Sequence, residues 1–232
     1  MKIVVFGASG MIGSGVVLAA LRDPGVTEVR AVVRRPLQLA ALEGVGVDRG
    51  KLVEIVHADL TDLAPIADRL SGVDACCFCV GISSAGVDEA AYTRTTADTA
   101  LEAGRTIARV APQATFCFVS GAGTDPDSRT MWARVKGQTE QRLQTLGLKA
   151  VACFRPGFIA PVDGVVSQTG AYRAFYAVTR PITPLLVRHA PGVATTSTVL
   201  ARAMLRVARE GAPTGILESR DINALAGDGG SR

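Results

Sequence analysis

The sequence predicts an α/β domain, a doubly wound parallel sheet with a small cap near its C-terminus, and three observations predict it. Strand-like apolar runs alternate with helical patterns from the first residue onward. Those runs are continuously apolar rather than alternating, which marks strands covered on both faces. The 232 residues, 48% of them hydrophobic, suffice for one such domain with a full core and are too few for two ordinary enzyme domains.

The first run, Lys2–Phe6, reads as a strand, and residues 10–21 read as the helix after it. Glu28–Val33 is a second strand. Leu52–Val56 is a third, after a loop carrying Gly44, Gly46 and Gly50. Residues 63–70 form a short helix and 73–79 a fourth strand. Residues 88–110 read as one long helix, ended by Ala111-Pro112. Thr115–Val119 is a fifth strand, 129–146 a helix closing on Gly147, and 149–154 a sixth strand. Such alternation implies a parallel sheet with right-handed crossovers.

After Arg155-Pro156-Gly157 the pattern changes, and residues 156–188 are rich in Pro, Gly, aromatics and scattered Arg. A helix fits 170–178, and Pro181 and Pro184 prevent it from continuing. Residues 196–209 form an amphipathic helix, 215–218 a last edge strand, and 227–232 a frayed tail. No separate linker appears. The chain therefore reads as one domain, 1–232, with 156–195 as a cap over the sheet's carboxyl edge, where open α/β sheets bind ligands.

The net charge of +4 suits an anionic small ligand, but no basic run or basic–aromatic interleaving is present, so nucleic acid is not expected as a partner. The apolar start is interrupted by glycine and reads as a strand rather than a signal peptide. No uncharged apolar stretch reaches the roughly 18 residues of a membrane span. Cys76, Cys77, Cys79, Cys117 and Cys153 all fall in apolar runs. Cys77 and Cys79 would share a strand face with Cys76 pointing away, so these read as buried thiols of a reducing cytoplasm rather than as metal ligands.

Between the first strand and the first helix stands Gly7-Ala8-Ser9-Gly10-Met11-Ile12-Gly13. Gly7 can make the tight turn, and Gly10 lets backbone approach a pyrophosphate, whose charge the helix N-terminus stabilises. Gly13 permits close helix–strand packing. The loop, with Ser9, Met11 and Ile12, is thus a dinucleotide site. A site preferring NAD places a carboxylate at the end of the second strand. Here the strand ends Val32-Val33-Arg34-Arg35-Pro36. Arg34 and Arg35 could grip a 2′-phosphate, which favours NADP(H) with NAD(H) possible; otherwise they are solvated loop charges. Asp59, with Leu60 next to it, could accept from the adenine amino group or cap the helix near Leu63, a task Asp62 could also take. Val80 and Gly81 close the fourth strand where a ribose could lie.

The GxxGxxG spacing resembles the extended and atypical members of the short-chain dehydrogenase/reductase superfamily. Arg134-Val135-Lys136-Gly137 with Glu140, and Phe154-Arg155-Pro156-Gly157-Phe158, resemble the atypical group in particular. That group includes proteins labelled nucleoside-diphosphate-sugar epimerases, Tat-interacting-protein-like oxidoreductases and NmrA-like NADP sensors. The resemblance implies that Lys136 contacts the nicotinamide ribose, that Pro156 and Phe158 border the cofactor, and that Ser120, or Thr124, orients the substrate. It also implies a tyrosine four residues before the lysine as acid/base, on one helix face with it. Trp132 stands there instead, and Tyr92, Tyr172 and Tyr176 are elsewhere. Indole can donate a hydrogen bond but cannot exchange a proton near neutrality.

The expected activity is an NADP(H)-dependent oxidoreductase on a small carbonyl or hydroxyl compound. Phe175, Tyr172 and Tyr176 would wall the cap, and Arg173, Arg180 or Arg188 could meet an anionic group. The alternatives are a non-catalytic NADP(H) sensor and, behind it, a sugar-nucleotide epimerase. Arginines on the helices at 88–110 and 129–146 argue against a large apolar dimer seam, so a monomer is favoured, with a dimer as the alternative.

Overall fold

The computed structural model describes residues 1–37, 46–160, 192–211 and 215–227. Seven strands within them form one sheet: β1 Lys2–Phe6, β2 Glu28–Val33, β3 Leu52–Val56, β4 Ala75–Phe78, β5 Thr115–Val119, β6 Ala150–Arg155 and β9 Ile216–Glu218. Their order is β3-β2-β1-β4-β5-β6-β9 and every pairing is parallel. The chain steps outward from β1 to β3, then crosses back to β4 and proceeds the other way. That reversal opens a crevice at the carboxyl ends of β1 and β4.

Alternate residues of the same strands feed two separate cores, which is why the central runs β1, β4 and β5 are almost wholly apolar. Ile3, Val5, Ala31, Cys77, Cys117 and Phe154 face one layer, filled by helices α1 (Met11–Arg22) and α5 (Ser197–Glu210). Val4, Phe6, Cys76, Phe78, Phe116 and Phe118 face the other, covered by α3 (Thr99–Val110) and the 3-10 turn Ala64–Leu70. Phe78 lies at the centre of that second layer, its ring centroid 5.7 Å from Phe6 and 6.2 Å from both Phe116 and Phe118. The cysteines divide as the strand period requires: Cys77 and Cys79 on one face, Cys76 on the other. All five are unpaired.

The structure departs from the sequence expectation in three places. The long helix at 88–110 is not a single α-helix. It comprises α2 (Glu89–Thr93), a π turn at Arg94–Asp98, and α3. Asp88 opens it by accepting from the Ala91 amide at 2.9 Å. Second, β7 (Phe158–Ala160) pairs in parallel with β8 (Ala194–Thr196), joining the two ends of the cap segment. Third, α6 (Ser219–Gly227) comes after β9 where no helix was expected. Between β5 and β6 the chain carries α4 (Met131–Gln144). No helix among the described residues is long and apolar enough to cross a membrane. Most of the expected cap, with Tyr172, Arg173, Phe175, Tyr176, Arg180 and Arg188, lies outside the described residues.

Candidate functional site

The crevice holds a cleft of two lobes that share Ser9, Gly10, Arg34, Cys79, Val80, Gly81 and Ile82. The smaller lobe, 310 Å³, lies toward β2 and β3 and adds Ala58, Asp59, Leu60, Thr61, Arg94, Thr95 and Thr99. The larger lobe, 910 Å³, runs past β5 and adds Met11, Ile12, Ser120, Trp132, Lys136, Pro156 and Ile159 among others.

Backbone contact builds the first wall. Gly7 has φ of +75°, and a Cβ there would stand 2.9 Å from the Cys79 carbonyl. Gly13 is hemmed in further: a Cβ would meet the Gly7 carbonyl oxygen at 2.1 Å. Gly13 therefore belongs to the packing behind the loop and not to the cleft lining. The helix it begins has no side-chain cap and no acid in its first turn. Its leading amides and positive dipole end are thus open to an anion in the cleft. These features fit a dinucleotide's pyrophosphate, held by Gly7, Ser9, Gly10, Met11 and Ile12.

Around the smaller lobe, Arg34 reaches the lining and Arg35 does not. Asp59 is the one carboxylate on the described lining. Its Oδ1 accepts from the Thr61 amide at 2.9 Å and the Thr61 hydroxyl at 2.6 Å. Those two bonds hold its carboxyl below the usual range. Asp62, not Asp59, serves the turn beyond it, accepting from the Ala64 amide at 3.1 Å. Leu60, Val80 and Gly81 line this lobe as the sequence suggested. Glu54, the acid nearest in sequence on β3, is committed to the Leu37 amide.

At the far end, β5 and β6 deliver the remaining groups. The Ser120 amide donates to the Phe154 carbonyl, and the Ala122 amide to that of Pro156, tying the two strand ends together. Thr124 gives its hydroxyl hydrogen to the Gly121 carbonyl at 2.7 Å, so the Ser120 hydroxyl donates to Thr124, 3.0 Å away. Ser120 is on the cleft wall and Thr124 is behind it, which separates the two candidates.

Lys136 projects from α4 onto the same wall. Its ammonium donates to the Val119 and Ser120 carbonyls, each at 3.1 Å, and lies 5.7 Å from the centroid of the Phe118 ring. Burial lowers it to about 8, with the Glu140 carboxylate one turn on opposing that shift. Glu140 is itself buried and forks onto Arg155, whose Nε and Nη2 donate at 3.0 and 2.5 Å. Arg155 also reaches Glu218 at 3.3 Å. Trp132 covers the Gly121–Gly123 loop and packs beside Tyr92, Ala97 and Val135. Tyr92 is buried in that cluster and is not on the cleft lining. Pro156 lines the cleft, whereas Phe158, one strand position before Ile159, does not. Sequence reasoning missed Arg94, Thr95 and Thr99, which the π turn and the start of α3 bring to the smaller lobe.

The family model described as NmrA-like matches residues 1–210. Protein fmp52, mitochondrial, of Emericella nidulans is 27% identical over 165 residues, 68% of this chain and 67% of that protein. A short-chain dehydrogenase/reductase from Saccharomyces cerevisiae superimposes with a TM-score of 0.67, over 97% of this chain and 98% of that one, at 17% identity. The Bordetella bronchiseptica enzyme WbmH, solved in complex with NAD+, gives 0.62 over 93% and 74% at 18% identity. At such identities the structures share the fold alone, the Rossmann-like parallel sheet flanked by helices that the resemblance implied.

Proposed function

The chain belongs to the NmrA-like family, and from that premise we propose that it is an NADP(H)-dependent reductase of a small carbonyl compound. The observation that carries this reading is a single cleft running from an uncapped helix N-terminus, past Arg34, to Ser120 and Lys136. Gly7, Ser9, Gly10, Met11 and Ile12 hold the pyrophosphate. Arg34 meets the 2′-phosphate with a charge-assisted fork. Asp59 keeps Oδ2 for the adenine amino group. Lys136 stands on the wall of the larger lobe, at the nicotinamide end of this arrangement. When bound, the nicotinamide supplies a hydride to the substrate carbon.

The chain must then place a proton on the substrate oxygen, and Trp132 cannot give one. Among the described residues lining the larger lobe, Lys136 alone titrates near neutrality. Cys79 is pushed well above its ordinary value by burial, and arginine does not deprotonate. Two N–H groups of Lys136 are fixed on backbone carbonyls, leaving a third for the cleft. Ser120, beside it, accepts or donates by rotating away from Thr124. Met11, Ile82, Ala122, Trp132 and Ile159 give this wall an apolar part beside Ser9, Ser83 and Arg34, which supports a small carbonyl substrate with an apolar portion. Five unpaired thiols support a reducing compartment. The cytoplasm is our reading, set against the mitochondrial name of the Emericella relative.

Trp132 on the wall favours a second reading, a non-catalytic NADP(H) sensor. NADPH oxidation over a panel of aldehydes and ketones decides between them. The reductase reading expects turnover that survives Trp132→Phe within a few-fold. It also expects turnover to fall as pH rises through about 8, where Lys136 loses its proton. Tight NADPH binding with no turnover on any carbonyl would establish the sensor. Turnover abolished by Trp132→Phe would remove Lys136 as the proton source.

A further inference from the structure

We propose that Arg94 is a specificity-determining residue for the adenosine 2′-phosphate, acting across the smaller lobe from Arg34. The proposal rests on the NADP(H) reading above and supplies a second cation that the sequence had assigned to Arg35. Arg34 comes after β2, on one side of β1. Arg94 stands in the helix after β4, on the other side. Both line the same 310 Å³ lobe, and Arg35 lines neither lobe.

The guanidiniums of Arg34 and Arg94 have no hydrogen bond or ion pair among the described residues. Arg30, Arg134 and Arg155 are committed to Glu28, Glu89 and Glu140, whereas Arg22, Arg35, Arg109 and Arg142 are as free as Arg34 and Arg94 but line neither lobe. Two cations on the lining of one cavity give it a charge that an added anion would relieve. Asp59 is the one described counter-charge on the lining, and Arg94 is near enough to help hold its carboxyl ionised. Two cations against one carboxylate leave the lobe net positive. Without Arg94 the lobe would carry one cation against one carboxylate, and Asp59 would offset the attraction of Arg34 for a phosphate dianion.

The backbone gives independent support. Arg94 begins the π turn that interrupts the long helix, and this turn with the start of α3 directs Arg94, Thr95 and Thr99 onto the lobe. The Thr99 hydroxyl returns to the Thr95 carbonyl at 2.6 Å and holds the widened turn in place. Single π turns inside α-helices concentrate at functional sites, because their looser bonding persists only where the altered register is used.

Calorimetry with 2′,5′-ADP and 5′-ADP tests the assignment without reference to turnover. The wild-type protein should bind 2′,5′-ADP at least about tenfold tighter than 5′-ADP. Arg94→Ala, at an exposed position, should melt like the wild type, lose most of that preference, and leave 5′-ADP affinity unchanged. Arg94→Lys should retain part of the preference. A wild type with no preference would overturn the NADP(H) reading and this proposal together. A wild type whose preference is lost in Arg34→Ala but intact in Arg94→Ala would overturn this proposal alone. So would an Arg94→Ala that weakens both nucleotides equally, since that marks contact with adenine or with the fold rather than with the phosphate.

Discussion

At the glycine end of the cleft, main chain packs on main chain; at the Lys136 end, side-chain charges are held by other side chains. The first end is built from Gly7 and Gly13 against the carbonyls of Cys79 and Gly7, with nothing able to rotate out of the way. The second depends on a chain of partners. Val119 and Ser120 offer carbonyls to Lys136, Glu140 lies one turn along α4, and Arg155 neutralises Glu140 from β6. The difference teaches where each end tolerates change. A rigid backbone cradle admits no Cβ at Gly7 or Gly13. A cradle of charges can be re-tuned one side chain at a time.

The comparison is broken most severely at Gly13. Gly13→Ala places a methyl 2.1 Å from a carbonyl oxygen that belongs to backbone. It should cost about 3 kcal/mol or more of stability, at or beyond the upper range for overpacking, read as a large fall in urea midpoint. Gly10→Ala meets the same oxygen only at 3.3 Å. It should fold nearly as the wild type while losing dinucleotide affinity, because its methyl faces the pyrophosphate. Equal stability loss in both variants would show that the loop is packing alone.

The Lys136 end is sharpened by Arg155→Ala. The change leaves Glu140, whose side chain is only 3% exposed, as a buried carboxylate without its partner. Breaking such a pair from one side is worth about 3 kcal/mol. Arg155→Ala with Glu140→Gln should recover much of that loss in urea denaturation, since the stranded charge is gone. A single variant as stable as the wild type would mean that the ion pair does not hold α4 to β6.

The glycine end was legible in the sequence for the same reason that it is rigid. Close backbone approach demands glycine, and a strand buried on both faces demands an apolar run, so residue identity alone located β1 and β5; β2 and the edge strand β3 carry Glu28, Arg30 and Glu54 and were found by their β-branched residues instead. The other end was legible only in outline. Lys136 and Trp132 are placed by helical spacing, but that Ser120 and not Thr124 faces the cleft depends on how the loop after β5 turns. Arg94 was hidden because residues 88–110 keep a helical pattern that does not display a π turn, and the turn decides which residues face the lobe. Arg35 was over-read: its neighbour takes the cleft wall, and adjacency in sequence does not place two side chains in one cavity. Ser219–Gly227 escaped because it is short and runs into a glycine-rich tail.

The smallest of these effects bears most directly on the central claim that this cleft is an NADP(H) site. Dissociation constants for NADPH and NADH, measured on the wild type and on Arg34→Ala, should show NADPH bound more tightly by the wild type. In the variant NADPH should weaken by about tenfold or more, the loss of one charge-assisted contact, with NADH nearly unchanged. Equal weakening of both nucleotides, or a wild type that prefers NADH, would contradict the account.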